Sequence, residues 1–575
     1  MIRVPWRLLS RIASMSCSIT LIAVSVSALS AADPDVSERI EWVYPSTSSV
    51  PSVISSVVRR HLPLPASAGP RPPACDQLSY LRFRSAAGPE EAARADRILV
   101  AQPGIFEGAS AFESLARNTV AAAAQQGAHL EFWALDRRPN CLEDHTGRLA
   151  GLRTGSLDVA TAYYFGGAEI DGRRFAGFPV DGPAVAWLAN QGLAQTLRDQ
   201  YDLLRAELPD PAVRARKVLC GGHSLGGLIT GNFAEWDFDG DPATTDDAGH
   251  RQCAGYFALD TAVSADPAAL MPQAELPDLP PAVSAVLAAG TGRVGTALPV
   301  LAAPAVINPE TMNLLALAGL AAHLEPEGVD QIVARLPRNP NVDATLRVLL
   351  AQDHRAVLTG HPDIRTLHAT NTAVLGAILD DNSQPFAFLQ ASTGFLAPGT
   401  PVGPKSFPLP TAAAAALPLG PALFGTAKKF APTGFDPGTV YRWSDYDAVD
   451  PARFDATTPD SEITSVHELA RDLCEPPLDF TEWYFPTRLT LDTATPGGPG
   501  IDRHRRYPDA ATGAPTITFV AADGVGVRPP PETPGRVVDL PGYNHLDVVT
   551  AAAEQNDGRP ETVSTQLAAF AVAPS

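Results

Sequence analysis

The chain has 575 residues, of which 45% are hydrophobic, and a formal net charge of -20 at pH 7. This hydrophobic content excludes wholesale disorder, and the length exceeds one ordinary core, so we expect two lobes or a core with a large insertion. An acidic chain without a basic stripe would repel nucleic acid and anionic membranes, so neither is an expected partner.

The first 32 residues have the pattern of a secretory signal peptide. Three arginines lie within the first eleven residues, an apolar stretch covers 12–26, and small residues at 27–32 offer a cleavage site. We therefore expect a protein that is secreted or held in the cell envelope. The alternative is an uncleaved membrane anchor, which the hydroxyl residues in the apolar stretch disfavour. The later apolar stretch at 282–307 is interrupted by glycines, an arginine and prolines, so we expect no integral span in the mature chain.

Strand and helix patterns alternate in the next part of the chain. Residues 98–101 and 130–135 have the composition of short buried strands, and the alanine-rich segment 112–126 between them has helical spacing. This alternation favours a parallel sheet with helices on both faces. Arg137 and Arg138 follow the second strand and could reach a substrate carboxylate or phosphate, although such a pair more often braces its own loop.

The most specific motif is the run Cys-Gly-Gly-His-Ser-Leu-Gly-Gly at 220–227. An apolar strand pattern at 217–220 precedes Ser224, and a helical pattern follows it. A serine displayed on a strained turn between a strand and a helix needs small residues at both second positions, where this chain has Gly222 and Gly226. The pattern therefore predicts a nucleophile elbow.

Two further strand patterns, at 516–520 and 536–540, occur close to the end of the chain. His545 follows the second of them on a turn, and a helix-like segment comes after it. Two acids are candidates for a partner of this histidine: Asp523 follows the strand at 516–520, and Asp260 ends an earlier apolar strand. Either acid could instead be an ordinary turn residue.

The run at 222–227, Gly-His-Ser-Leu-Gly-Gly, resembles the elbow of lipases and esterases with the α/β-hydrolase fold. The resemblance covers three stretches, 96–144, 183–263 and 515–575. It implies a mostly parallel sheet with helices on both faces and a catalytic triad in the chain order serine, acid, histidine.

This resemblance assigns roles to four residues. Ser224 would be the nucleophile and His545 the general base. Asp523 lies at the common position of the family's acid, after the penultimate strand, and is the first choice for the triad acid. Asp260 is the alternative, because a minority of lipases carry their acid after the strand next to the nucleophile strand.

The resemblance also implies an oxyanion hole made of two backbone amides. Leu225 would supply one amide at the start of the helix after the serine. Ile105 would supply the other, with Phe106 as the neighbour that could replace it. The family usually has His-Gly where this chain has Pro103 and Gly104, so the group that orients this loop is left open.

On the same resemblance, the long segment before the last two strands is an insertion that forms a mainly helical cap over the nucleophile. Its apolar runs either build an acyl pocket or form a small second core. The expected divisions are a signal peptide at 1–32, the first part of the α/β-hydrolase core at 33–260, the cap at 261–514 and the last part of the core at 515–575.

Export would place the cysteines in a compartment that permits disulfides. If residues 78–83 form the antiparallel second strand of the family's fold, Cys75 lies near Cys141, and this is the preferred bridge. Cys220 would lie at the end of its strand and Cys253 before the start of a parallel neighbour, so these two should be too far apart to bond.

An acidic run at 237–241, followed by Asp246 and Asp247, raises the question of calcium. Carboxylates alternate as in a calcium loop, but Pro242 stands where that loop needs glycine and Ala248 where it needs a bidentate glutamate. We therefore expect a solvated acidic loop, with no metal and no cofactor.

Together these patterns predict an exported serine hydrolase that cleaves carboxylic esters, with a small-molecule or lipid ester as substrate. An acyltransferase or a peptidase of the same fold would share the machinery. A catalytically inactive binding protein with a hydrolase fold is the alternative from another class, and a missing triad residue would identify it.

Overall fold

The computed structural model describes residues 38–573 with the exception of 242, 271–293, 304–305, 398–399, 418–419, 445–461, 495–498, 530–532 and 556–557. The predicted signal peptide therefore lies outside the described residues. The described residues form one compact unit.

A nine-stranded mixed sheet lies at the centre of this unit, in the order β1-β2-β3-β5-β4-β6-β7-β8-β9. The first four strands in this order pair antiparallel, and the strands from β5 to β9 pair parallel. The strands are β1 (Arg39–Val43), β2 (Val53–His61), β3 (Gln77–Ser85), β4 (Arg97–Gln102), β5 (Leu130–Asp136), β6 (Val218–His223), β7 (Gly255–Leu259), β8 (Thr516–Ala521) and β9 (Arg536–Leu540).

Helices cover both faces of the sheet. Alternate residues of β4 enter two different cores, since Ile98 and Val100 pack on one face while Leu99 and Ala101 pack on the other. Strands buried on both faces are apolar almost throughout, which explains the continuous apolar runs in this region. The mostly parallel sheet with helices on both faces, predicted from the sequence, is confirmed.

In the described part of the chain before β7 there are six helices. They are α1 (Glu113–Gln125), α2 (Thr146–Thr154), α3 (Leu157–Gly166), α4 (Leu193–Glu207), α5 (Pro211–Lys217) and α6 (Leu225–Glu235). A short hairpin of Glu169–Ile170 and Arg173–Arg174 follows α3.

Between β7 and β8 the chain forms helices and short strand pairs. The helices are α7 (Pro309–Leu324), α8 (Pro340–Leu350), α9 (His354–Thr359), α10 (Asn371–Leu379), α11 (Thr411–Ala415), α12 (Gly420–Phe424), α13 (Val466–Cys474), α14 (Thr487–Ala494) and α15 (Pro499–Asp502). The strand pairs are His368–Ala369 with Val440–Tyr441, Phe395–Leu396 with Trp443–Ser444, and Val402–Pro404 with Phe430–Pro432. After β9 come α16 (Asp547–Thr550) and α17 (Thr562–Val572).

The segment between β7 and β8, which we call the insertion, packs directly on the sheet and its flanking helices. Asp472 of α13 accepts a 2.5 Å hydrogen bond from the Ser114 hydroxyl of α1. The Glu482 amide donates to the carbonyl of Phe106, in the loop after β4, at 2.8 Å. The insertion therefore holds the loop that precedes α1.

Two disulfides join parts of the sheet domain. Cys75 and Cys141 are bonded, with their Cα atoms 5.1 Å apart, and connect the turn before β3 to the turn after β5. Cys220 and Cys253 are also bonded, with a Cα separation of 5.8 Å. The thiol of Cys474 is free and buried.

The expectation that Cys220 and Cys253 are too far apart was wrong. It placed Cys220 at the carboxyl end of its strand, whereas β6 continues to His223 and Cys220 is its third residue. The register pairs Cys220 with Tyr256, only three residues after Cys253, so the turn before β7 can bring the two sulfurs together.

Among the described residues, no helix combines the length and the apolar character needed to cross a bilayer.

Candidate active site

Ser224 stands at a sharp turn between β6 and α6. Its backbone has φ 54° and ψ −121°, a conformation that is strained for a residue with a side chain. A Cβ atom added to Gly222 or Gly226 would lie 2.5 or 2.1 Å from the carbonyl oxygen of Gln102, at the end of the neighbouring β4. Both glycines are therefore needed for the close approach of the two chain segments, and the local geometry is that of a nucleophile elbow.

His545 lies on the turn between β9 and α16 and is hydrogen-bonded to Asp260. Its Nδ1 atom is 2.6 Å from Oδ2 of Asp260, and both side chains are buried. A carboxylate accepts hydrogen bonds, so Nδ1 carries the proton and Nε2 is left with the lone pair that a general base needs.

The first choice for the acid, Asp523, is not in contact with His545. Oδ1 of Asp523 instead accepts a hydrogen bond from the Thr426 hydroxyl at 2.7 Å, and its amide donates to the carbonyl of Tyr543. The alternative acid, Asp260, is the one that the structure places against the histidine.

Residues around Asp523 form a cradle for Asp260 instead. The Ala521 amide donates to Oδ1 of Asp260 at 3.0 Å, and the Val525 amide donates to Oδ2 at 3.2 Å. A Cβ atom on Gly524 would lie 2.2 Å from the same Oδ2 atom. The Asp-Gly turn after β8 thus fits closely over the carboxylate from β7.

The loop between β4 and the turn Ala109–Phe112 lies against Ser224. A Cβ atom on Gly104 would come within 3.0 Å of the Ser224 Cβ. Phe106 in this loop has φ 60°, an uncommon backbone conformation for an aromatic residue. The loop that carries Ile105 and Phe106 therefore begins beside the candidate nucleophile.

Leu225 follows Ser224 directly. It is the first residue of α6, where backbone amides have no acceptor within the helix. The positive end of the helix dipole points to the same place, so this amide is suited to bind an oxyanion.

Arg137 orients the loop that carries Ile105. Its guanidinium donates to the carbonyls of Pro103 at 2.8 Å, Gly104 at 2.6 Å and Glu107 at 3.0 Å. Its Nε atom donates to Glu482 at 2.6 Å. Arg137 is therefore the group that orients this loop, which has Pro103 and Gly104 in place of the family's usual His-Gly.

Arg138 also braces its surroundings and points elsewhere. It donates to both carboxylate oxygens of Asp199 and to the carbonyls of Leu62 and Cys75. The polar atoms of both arginines are occupied by the protein itself, so neither forms a substrate anion site.

A buried pair, Glu107 and His223, connects the loop to the histidine turn. Oε2 of Glu107 accepts from the Gly104 amide at 2.6 Å, and its Oε1 atom is 2.7 Å from Nδ1 of His223. Nε2 of His223 is 3.0 Å from the carbonyl oxygen of His545. Neither residue was among the predicted site residues, and the only sequence signal of Glu107 is an acid within an otherwise apolar, glycine-containing loop.

Both nitrogens of His223 face acceptors, so both must donate, and the ring is an imidazolium. Burial alone would lower the pKa of His223, but the charge and hydrogen bond of Glu107 outweigh it and raise the pKa. Burial alone would raise the pKa of Glu107, but the charge and hydrogen bond of His223, together with the hydrogen bond from the Gly104 amide, outweigh burial and lower the pKa. The two form a buried ion pair.

The pKa of His545 is lowered, first by burial and then by the charge of His223. The two rings are close, with centroids 4.3 Å apart. His545 is therefore neutral at neutral pH, which is the protonation state of a general base.

An apolar cavity lies within the insertion. Leu389, in its wall, precedes Gln390, whose carbonyl accepts a 3.0 Å hydrogen bond from the amide of Leu546, next to His545. Other side chains in the wall include Met312, Leu315, Leu349, Leu379 and Phe386. One backbone hydrogen bond therefore links the wall of this cavity to the turn that carries the candidate base.

Glu143, His145 and Asp479 could be considered as metal ligands, because their ligand atoms lie within 4.8 Å of one another. However, Nε2 of His145 faces Glu143 at 3.5 Å and Nδ1 faces Asp479 at 3.4 Å. Arg148 lies 3.1 Å from Asp479. Since both ring nitrogens and a guanidinium already face these carboxylates, we interpret the group as an ion-pair cluster.

The sheet order, the elbow between β6 and α6 and the histidine after β9 together define an α/β-hydrolase fold. No family model and no curated protein matches the sequence.

Several solved structures are similar to the chain, with low sequence identities and low TM-scores. A peroxisomal alpha-beta-hydrolase, Lpx1, from Saccharomyces cerevisiae has 12% identity and a TM-score of 0.31, over 94% of this chain and 90% of that one. The thioesterase domain from the curacin biosynthetic pathway has 11% identity and a TM-score of 0.29, over 86% and 95%. Juvenile hormone epoxide hydrolase from Bombyx mori has 12% identity and a TM-score of 0.30, over 89% and 76%. At these values the similarity adds nothing to the fold described from the sheet itself.

Proposed function

We propose that this protein is an exported serine hydrolase that cleaves carboxylic esters through an acyl-enzyme. The observation that carries the proposal is the hydrogen bond between His545 and Asp260 at the sheet edge where Ser224 stands on its elbow. The same three residue types, in the same order along the chain, form the triad of esterases.

In the first half of the reaction, Nε2 of His545 removes the proton of the Ser224 hydroxyl as its oxygen attacks the ester carbonyl carbon. The carbonyl oxygen becomes an oxyanion that the amides of Ile105 and Leu225 bind. The tetrahedral intermediate collapses, the bond to the alcohol oxygen breaks, and His545 returns its proton to the leaving alcohol. Asp260 accepts the hydrogen bond from the Nδ1 proton of His545 and stabilises the imidazolium whenever it forms.

In the second half, His545 removes a proton from water, whose oxygen attacks the acyl carbon. The intermediate again places its negative oxygen between the two amides. It releases the carboxylic acid as His545 returns the proton to Ser224. An alcohol or an amine in place of water would make the same machinery an acyltransferase.

The substrate class is an ester with a hydrophobic acyl or alcohol group. This part of the proposal is supported by the apolar side chains around the cavity between β7 and β8, whose wall is linked to the histidine turn through Gln390. Phe106 and Phe485, with ring centroids 5.1 Å apart, add apolar surface to the loop beside Ser224.

Export is supported by the signal pattern at 1–32 and by two disulfides. Disulfides persist in oxidising compartments and are rare in the cytosol. The two disulfides agree with secretion of the protein and equally with its retention in the cell envelope.

A fluorophosphonate probe tests the proposed chemistry, because it reacts with an activated serine. We expect labelling of the wild-type protein and none of Ser224→Ala. Ser156→Ala is a matched control, since this helix-capping serine makes no side-chain capping bond. No labelling of folded wild-type protein would favour the inactive binding protein.

Rates on p-nitrophenyl esters of increasing acyl length test the substrate class. We expect kcat/KM to rise from acetate to the medium-chain esters, by roughly tenfold for each two methylenes that become buried. A sharp preference for acetate would contradict the apolar pocket while leaving the serine chemistry intact.

A further inference from the structure

The loop between α6 and β7 gathers three carboxylates at one point. One oxygen each of Asp237, Asp239 and Asp247 lies within 4.8 Å of the other two. Oxygen ligands of one calcium ion lie at most about 5 Å apart, because calcium to oxygen distances are about 2.5 Å. The spacing of these oxygen atoms is therefore compatible with a single shared ion.

Two oxygens in this group are buried without a hydrogen-bond partner. Oδ1 of Asp237 accepts from the Gly240 amide at 2.8 Å, but its Oδ2 has no partner. Oδ2 of Asp247 accepts from the Asp239 amide at 2.5 Å, but its Oδ1 has none. The Asp237 side chain is fully buried, at 0% exposure. Buried carboxylate oxygens without partners are costly, and a cation satisfies both at once.

The surrounding groups hold this arrangement in place, and among the described residues no salt bridge to its three carboxylates is formed, although the pKa of Asp239 is lowered, first by the Thr244 hydroxyl and also by the charge of Arg198. The Asp237 amide donates to the carbonyl of His504 at 2.7 Å, and its own carbonyl is 2.7 Å from Nδ1 of His504. Arg198 lies nearby, but its guanidinium pairs with Asp202 at 3.8 Å and donates to the carbonyl of Phe238. Three carboxylates with oxygen as the only ligand type favour a hard divalent cation over zinc, copper or iron.

We propose that Asp237, Asp239 and Asp247 form a calcium site that fastens the connection between α6 and β7. The site differs from the twelve-residue calcium loop, which would need a ligand at position 248. In this chain the third carboxylate comes one residue earlier, at Asp247, so the twelve-residue pattern does not describe this group.

The position of the site gives the ion a structural role. Helix α6 starts directly after Ser224, and β7 ends directly before Asp260. The connection between them contains the three carboxylates and then Cys253, which is bonded to Cys220. Calcium and this disulfide would restrain the same crossover at two points, independently of what the active site hydrolyses.

Calorimetric titration of the chelator-treated full chain with calcium chloride tests the proposal. We expect one calcium per chain for the wild type and a thermal unfolding midpoint that rises by several degrees with saturating calcium. Asp247→Asn keeps an acceptor for the Asp239 amide but replaces the unpartnered oxygen, so calcium should bind more than about tenfold more weakly. Asp239→Asn, at an exposed residue, gives a second variant with the same expectation.

Asp246→Asn is the matched control, because this exposed neighbour has the same charge and lies outside the group. It should bind calcium like the wild type. The proposal would be overturned if the wild type did not bind calcium at 10 mM. This concentration is on the order of ten times the dissociation constant of the weakest protein calcium sites. Equal weakening in Asp246→Asn and Asp247→Asn would also overturn the proposal, since it would indicate general attraction by an acidic surface.

Discussion

Oδ2 of Asp260 and Nδ1 of His545 lie 2.6 Å apart, although 285 positions separate the two residues in the chain. The bond joins the end of β7 to the turn after β9, across the intervening strand β8. Amides of the turn after β8 complete the environment of the carboxylate. Three consecutive strands of the sheet therefore cooperate to hold one histidine.

Substitution of the two candidate acids separates their roles. Asp260→Asn leaves the shape of the site but allows the wrong tautomer of His545, so we expect kcat to fall by about four orders of magnitude. Asp523→Asn keeps an oxygen acceptor for the Thr426 hydroxyl and removes only a charge, at a side chain that is not bonded to His545, so it should change kcat less than about threefold. Steady-state rates on one ester decide between them, and a large loss in Asp523→Asn alone would reverse the assignment.

Sequence patterns could not choose between these acids for a geometric reason. Strands β7 and β8 are parallel neighbours, with Leu259 paired to Phe519, so residues that follow either strand reach the same sheet edge. Asp260 turns toward the histidine with φ 44°, directly after its strand. Such a backbone conformation depends on the cradle at 521–525, which belongs to a segment about 260 residues away.

The pH dependence of the rate should report the lowered pKa of His545. The neutral ring is the active form, so kcat/KM should rise with pH through a midpoint below 6.5, the ordinary value for histidine, and then stay constant. In His223→Gln the neighbouring positive charge is lost while Glu107 remains, so the midpoint should move to higher pH. An unchanged midpoint in a folded, active variant would show that His223 carries no charge in the wild type.

The ion pair of Glu107 and His223 should make stability depend on pH. The pKa of His223 is raised in the folded protein, so its stabilising contribution is complete below 6.5 and is lost as pH rises through the raised value. Glu107, whose pKa is lowered, contributes fully above 4.5 and loses its contribution as pH falls through the lowered value. The pair is therefore strongest between these two ordinary values.

Glu107→Gln tests this dependence. At pH 6 it should lower the free energy of unfolding by about 3 kcal/mol, since it leaves a buried charge without its partner. At pH 9 the difference from the wild type should be smaller. Glu91→Gln, at an exposed position without a side-chain capping bond, is the control and should change stability by less than about 0.5 kcal/mol at either pH.

Arg137 should affect turnover through the loop that it braces. Lysine cannot reach three carbonyls and a carboxylate with fixed geometry, so Arg137→Lys should lower kcat by about a hundredfold, with a smaller change in KM. Arg138→Lys breaks a similar number of bonds away from the loop, and should reduce stability but leave kcat near the wild-type value. Equal kcat values for the two variants would contradict the positioning role.

Local patterns predicted the parts of the site that depend on local backbone geometry. Ser224 was recognisable from its flanking glycines, and His545 from its place after the last strand. The bracing of the oxyanion loop was not recognisable, because Arg137 and its partner Glu482 are 345 positions apart and neither belongs to a motif. The Cys220–Cys253 bond was missed because the strand's end was placed too early.

The close contact at Gly226 should make this position intolerant of any side chain. A Cβ atom there would lie 2.1 Å from the carbonyl oxygen of Gln102. Gln102 cannot easily move away, because the register pairs it with Gly222 at the end of β6. Gly226→Ala should therefore lower the free energy of unfolding by about 3 kcal/mol and also reduce labelling of Ser224.

Gly513→Ala, where an added Cβ meets nothing within 4 Å, is the control. Chemical denaturation of both variants measures the effect, and similar values for the two would show that the elbow can relax around a methyl group.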